Sequence, residues 1–320
     1  MKLQTQIPLT KADHQIDYAS KLFLLGSCFS ENMGAKLDYY KFQTVQNPFG
    51  ILFHPLAIEN LISRAIKKQF YSENEVFFLN DRWHCFDAHS SVSDISKEKL
   101  LGNLNAQLRV TQKKLQEATH IIITLGTAWT YTANETGKTV ANCHKVPQKE
   151  FNKLLLSVDE ITFSLQRIAH QIETVNKNAQ LIFTISPVRH LKDGFIENQR
   201  SKSHLITALN NLLGDPSFGA RGYYFPSYEI MMDELRDYRF YAADMVHPNE
   251  LAIDYIWEKF RTVWISDAVR AIMKKVEEVQ RGLRHRAFNP EGLEHRKFRV
   301  ALQDRIAYLK DTYPFMEFDS

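Results

Sequence analysis

The chain has 320 residues, 44% hydrophobic and 24% charged, with 40 basic and 37 acidic side chains, a net charge of +3 and three cysteines. This is a globular mixture with ample length for a large core. Its charge balance gives no push toward nucleic acid, and three cysteines do not make a disulfide framework. The cysteine usage fits a reducing compartment, the polar opening MKLQTQIPLTKADHQIDYASK lacks the apolar segment of a signal peptide, and no apolar run approaches the roughly 18 residues of a membrane span, so a cytoplasmic protein with no membrane span is expected.

In chain order, the first apolar run is KLFLLGS at 21–27, followed at once by a cysteine and a segment that opens a helix. Residues 70–93 carry aromatics and turn formers and read as a hairpin-like insertion. Residues 98–117 place Leu101, Leu104, Leu108 and Leu115 at mostly helical spacing, and the second apolar run, HIIITLGT at 120–127, comes next. Residues 150–176 read as a helix with Leu154, Val158, Ile161, Leu165, Ile168 and Ile172 on one stripe. The third run is QLIFTISP at 180–187, then a helix over 201–213, then GYYFPSY at 222–228 and a long helical pattern over 249–279. Beyond Val279 the chain turns Arg-rich. Leu302, Ile306 and Leu309 predict a last helix, and Glu291, Glu294, Asp304 and Asp311 interleave its basic residues, as on a solvated helical face rather than a phosphate- or membrane-binding patch.

Nearly continuous apolar strands suit a parallel sheet covered on both faces, and strands alternating with helices imply right-handed crossovers in an α/β fold. Ligands of such sheets bind at the carboxyl edge of the strands, so the segments that follow the strands are the candidates for chemistry. Four of them stand out.

In GSCFSENMG, 26–34, Cys28 falls at the first turn of a helix, where partial positive charge and free N–H groups lower a thiol's pKa and can hold an oxyanion; a buried filler thiol is the competing reading. In AADMVHPNE, 242–250, Asp244 precedes His247 by three residues. It can accept from one ring nitrogen and leave the other free for a proton, and Pro248 suits the start of the next helix. In TLGTAWTY, 124–131, Gly126 lets a backbone N–H approach a ligand. In SPVRHLKDGFIENQRSK, 186–202, Arg189, His190, Asp193, Glu197 and Lys202 crowd the end of the third strand. A zinc site built on Cys143 and His144 is disfavoured because Cys143–His144 and His84–Cys85 are adjacent pairs whose side chains diverge, so no metal ligands are assigned.

Together these motifs resemble the GSCFA family, named for the stretch matched by Gly26-Ser27-Cys28-Phe29-Ser30, with Ser30 in place of the final Ala. NPFGILFHP (47–55), the segment around Trp83–Ser90, NCHKVP (142–147), SPVRH and DMVHPN carry the likeness further, over most of residues 20 to 260. GSCFA proteins in turn resemble SGNH, or GDSL-type, hydrolases. That likeness implies a three-layer α/β/α sandwich with a flavodoxin-like parallel sheet. It lays Gly26-Ser27-Cys28 on the nucleophile turn, Gly50 on the second-block glycine, Gly126-Thr127-Ala128 on the GxN block and Asp244 with His247 on DxxH. The thiol replaces a serine unless Ser27 serves instead, and Ala128 stands where a side-chain oxyanion donor is expected, leaving Asn47 and Asn142 as substitutes.

The resulting expectation is an SGNH hydrolase-like domain over 1–265, with the insertion near 70–93, and a helical C-terminal extension over 266–320 packing on the same body. The expected activity is ester hydrolysis or acyl transfer on a small-molecule or carbohydrate acyl ester, with Cys28 (or Ser27), His247 and Asp244 catalytic. Peptide N–H groups of Cys28, Gly50 and Gly126 would hold the oxyanion. Trp83, His89, His144, Arg189, His190 and Lys202 would line the substrate site. No cofactor and no nucleic acid partner are implied, and the oligomeric state stays open. The alternatives are a non-catalytic binding protein on the same fold and a zinc-dependent hydrolase.

Overall fold

The computed structural model describes residues 4–218, 221–286 and 288–318. Strand β1 (Lys21–Gly26) runs almost directly into helix α1 (Cys28–Tyr39), and β2 (Gln43–Gln46) returns beside β1. After α2 (Pro55–Ile66), β3 (Phe77–Leu79) and β4 (Arg82–His84) make an antiparallel hairpin apart from the main sheet. Helix α3 (Lys97–Glu117) leads to β5 (His120–Leu125), and β6 (Trp129–Ala133), β7 (Thr139–Val140) and β8 (Phe151–Leu155) form a small antiparallel sheet. Then come α4 (Val158–Val175), β9 (Gln180–Ile185), α5 (Phe195–Gly214) and β10 (Gly222–Phe225). A short turn α6 (Ser227–Glu229) runs into π-helical turns at Ile230–Leu235, and α7 (Glu250–Trp264), α8 (Arg270–Arg284) and α9 (Leu293–Thr312) follow.

The main sheet has five strands in the order β10-β9-β5-β1-β2, every pair parallel. This is the flavodoxin-like order, whose switch point lies between the first strand and the third of the sheet, here β1 and β5. Successive strand residues face opposite layers. Phe23, Leu25, Ile121, Ile123, Leu181 and Phe183 pack with α2, α3, α4 and α5. Leu22, Leu24, Ile122, Ile182 and Phe225 pack with α1 and α7, and residues of α8 and α9 such as Val276, Val279, Ile306 and Leu309 share that core. The result is a three-layer α/β/α sandwich with C-terminal helices on one layer.

Three local expectations change. The edge strand β2, QTVQ, has too little apolar character to announce itself. Residues 151–155 are strand rather than helix: they pair with β6, Leu154 is 49% exposed, and α4 starts only after the capping box in which Ser157 and Glu160 satisfy each other's backbone amides. The pattern over 249–279 is two helices. The chain breaks at Ile265 because Ile16 bridges it in parallel, with Ser266 N–H donating to the Ile16 carbonyl at 2.9 Å.

Candidate active site

The carboxyl ends of β1 and β5 meet at Gly26 and Gly126. Gly26 has φ +130°, and a Cβ there would stand 2.1 Å from the Thr124 carbonyl oxygen, so only glycine passes β1 this close to β5. Ser27 then donates its peptide N–H to Thr124 at 3.0 Å and caps α1 with its backbone alone; its side chain is fully buried and its hydroxyl has no partner. Cys28 is the first residue of α1 and remains partly open. Of the two candidate nucleophiles, the thiol is the accessible one.

The electrostatics at Cys28 reverse one expectation. Burial raises its pKa most, Glu31 one turn along α1 raises it further, and the Lys202 ammonium and the peptide N–H groups of Phe29 and Cys28 only partly offset this. The helix end acts in the expected direction and loses to desolvation. Cys28 is therefore held as a thiol at neutral pH, not as a ready thiolate.

Gly126 sits at the crowded centre. A Cβ there would lie 3.0 Å from the Phe53 carbonyl, 3.2 Å from Ser27 Cβ and 3.3 Å from His190 Nε2. Its N–H donates to Phe53 at 2.8 Å, and the Gly50 N–H donates to Asn47 at 2.7 Å, so both amides expected to serve as oxyanion donors are already engaged. Gly50 is glycine for another reason: φ is +70° and His89 Cβ would come within 2.5 Å of a side chain. Asn47 offers a better donor. Its Oδ1 accepts from the Gly26 N–H at 2.9 Å, which fixes the amide's orientation, and its buried Nδ2 has no partner. Ala128 is fully buried, its N–H bonded to Ser201 Oγ at 2.7 Å.

Lys202 on α5 is fully buried, not on the surface where it was expected to meet substrate. Its Nζ donates to the carbonyls of Gly126 and Ser186, both at 2.7 Å, joining the ends of β5 and β9. Burial draws its pKa down to about 7, while Cys28 pulls the other way. His190 lies beside it, its ring edge-on to Phe53 at 5.6 Å and its Nε2 unpaired. Burial, Lys202 and His247 hold His190 neutral, down to about 3. The His89 ring also lies edge-on to Phe53, at 6.4 Å, and Glu31 acts on it as it acts on Cys28.

The remaining candidates gather around the β3–β4 hairpin, near enough for His89 to act on His144. Trp83 packs on Phe78 and under Lys97 in the β3–β4 hairpin. His144 is buried against His84, with Nε2 on the Cys85 carbonyl at 2.7 Å, and Asn142 Oδ1 accepts the His144 N–H. Among the described residues no three His, Cys, Asp or Glu side chains assemble to hold a metal ion. No described helix is long and apolar enough to cross a membrane.

The family model of the GSCFA family matches residues 21–260, which is most of the chain, and that of the GSCFA domain protein C-terminal domain matches residues 276–320. The chain belongs to the GSCFA family. No curated protein matches it.

In this GSCFA protein the Asp244–His247 pair is formed. His247 Nδ1 lies 2.7 Å from Asp244 Oδ2, and Asp244 Oδ1 accepts the N–H groups of Val246 at 2.9 Å and His247 at 3.0 Å. Those bonds from His247 and Val246 lower the Asp244 pKa to about 2. The loop docks on the segment after β9 through the Arg189 N–H, which donates to Val246 at 3.1 Å. Asn249 then caps α7, its side chain accepting from the Ala252 N–H. Phe53, Glu31 and Asn198, whose Oδ1 holds the His190 N–H at 2.8 Å, are site residues that sequence reasoning did not single out. The aromatic richness of 223–241, which walls a nearby cavity, was the one signal available for that flank.

Proposed function

We propose that this GSCFA protein is an SGNH-like acyl hydrolase or acyltransferase that works through Cys28. The observation that carries the reading is the Asp244–His247 bond of 2.7 Å on a loop anchored to the sheet edge where Cys28 opens α1. A thiol held protonated by burial needs a base, as a serine would. With Nδ1 engaged by Asp244, His247 keeps Nε2 for that proton.

In the first step Sγ attacks the acyl carbonyl carbon as His247 takes the thiol proton. The C–S bond forms and the carbonyl oxygen becomes an oxyanion, for which Asn47 Nδ2 and the N–H groups at the head of α1 are donors. Collapse breaks the ester C–O bond, and the leaving alkoxide takes the proton from His247. Water or an acceptor hydroxyl then attacks the thioester, gives its proton to His247, and departs as acid or new ester when the C–S bond breaks and the thiol is restored. His190 is the competing base, but burial, Lys202 and His247 all disfavour its protonated form, which weighs against it.

The test is mass spectrometry of the protein after exposure to activated acyl esters. Acylation at Cys28 that is lost in His247→Ala supports the reading; acylation that persists there, or falls equally on Cys85 and Cys143, overturns it. Ala128 favours a second reading, a non-catalytic binder on this fold, because the customary oxyanion side chain is missing. Ligand binding untouched by Cys28→Ala, without turnover of any ester, would select it.

A further inference from the structure

A cavity of about 320 Å³ opens beside the Asp244–His247 loop, within the size range of small-molecule sites, and both Arg189 and Arg236 line it. Arg189 is held by aromatic rings rather than by an acid: its guanidinium lies 5.3 Å from the centre of Phe195, 5.8 Å from Tyr238 and 5.5 Å from Tyr241. One of its nitrogens also reaches the Met245 carbonyl at 3.4 Å, next to Asp244. Arg236 ends the π-helical turns in a left-handed conformation, φ 43°. Among the described residues neither arginine has a carboxylate in ion-pair contact, and the acid in the lining, Asp237, pairs with Arg239 at 3.0 Å. Tyr228 contributes a ring wall, its hydroxyl already donating to Gln199 at 2.8 Å.

We infer that this cavity binds an oxyanion, phosphate or carboxylate, carried by the substrate, with Arg189 and Arg236 as its ligands. Two guanidinium forks without counter-ions match the planar, bidentate demand of such groups. The aromatic walls hold the Arg189 plane in place and offer faces on which a flat or ring-shaped portion of the substrate can lie. Because Arg189 anchors the loop that carries His247, the anion would fix the substrate at a set distance from the reacting carbonyl. The last point rests on the acyl-chemistry reading; the anion site does not.

Two measurements keep these apart. In the first, inorganic phosphate and glutarate are titrated calorimetrically into the wild type and into Arg236→Gln, an exposed position whose change leaves the aromatic packing in place. Binding of either anion, weakened about tenfold or more in the variant, is expected; the anion that binds tighter names the substrate's group. Failure of both to bind, or equal binding in the variant, overturns the site. In the second, 4-nitrophenyl butyrate is compared with the mono-4-nitrophenyl ester of glutaric acid. The charged ester should be favoured about tenfold in kcat/KM, and Arg189→Lys or Arg236→Gln should erode that preference. Parity in the wild type overturns the inference. No turnover of either ester, with anion binding intact, counts against the Cys28 mechanism and leaves the anion site standing.

Discussion

Lys202 and Gly126 are joined across the edge of the sheet: the buried ammonium donates to the Gly126 carbonyl at 2.7 Å and, at the same distance, to Ser186. A charge this deep has backbone carbonyls rather than a carboxylate for hydrogen-bond partners, with the Tyr228 ring 5.6 Å away. Burial accordingly draws its pKa from 10.5 down to about 7. Between those values the unfolded chain binds a proton that the folded chain does not, so stability should increase as pH rises from about 7 toward 10.5. Denaturant titrations across that range should show the increase in the wild type and a flatter profile in Lys202→Met. Equal slopes in the two proteins would mean that Lys202 is not the group responsible.

Thiol reactivity should separate the three cysteines. Cys85 is buried and pushed up to about 12, whereas Cys28 and Cys143 are partly open and raised less. Iodoacetamide at pH 8 should therefore label Cys85 last, and Cys28 alkylation should still be accelerating above the ordinary thiol range near 9. A Cys28 labelling rate that has levelled off by neutral pH would show a preformed thiolate and remove the need for a base.

Asp244 and His247 should behave as one unit. Asp244 stays ionised down to about pH 2, so it remains a carboxylate acceptor for the His247 ring at neutral pH. Asp244→Asn and His247→Ala should each lower turnover of an activated ester by about a hundredfold or more, and the double variant should fall little further. Independent, additive losses would break the assignment.

Asn47→Asp keeps the acceptor for the Gly26 N–H and removes the unpaired donor. Aspartate tolerates the left-handed φ of 39° at this position. The expected result is a loss of roughly a hundredfold in kcat, with Cys28 alkylation unchanged. Slower alkylation in step with the lost turnover would trace the effect to the new charge instead of the missing donor.

Gly26→Ala should destabilise the fold by about 3 kcal/mol or more, since it adds a clash with β5 to a backbone conformation that alanine avoids. Urea denaturation reads this directly, and a change below about 1 kcal/mol would show that β1 and β5 can separate at little cost.

The layered α/β fold was legible in the chain because strands covered on both faces must be apolar throughout. The runs at 21–27, 120–127 and 180–187 could be little else, whereas reading 150–176 as one helix passed over the capping box of Ser157 and Glu160 that marks the true start of α4. The Asp244–His247 pair was legible too, because its geometry is local: three residues and one turn bring the carboxylate to the ring. Strands β2 and β8 were not, since neither QTVQ nor FNKLL is buried on both faces, and it is pairing with β1 and β6 rather than an apolar run that makes them strands.

By itself, the sequence determined which side chains stand at the ends of the strands, since hydrophobic period and turn chemistry are properties of neighbouring residues. Only the tertiary structure decided what those side chains are. It turned Lys202 inward as a clamp, filled the amides of Gly50 and Gly126, left Asn47 Nδ2 unpaired, and raised rather than lowered Cys28. Desolvation, and all of this hydrogen-bond occupancy except the Gly50–Asn47 turn, depend on groups brought together from different elements of the fold, as when Lys202 reaches Gly126 across 76 residues of chain.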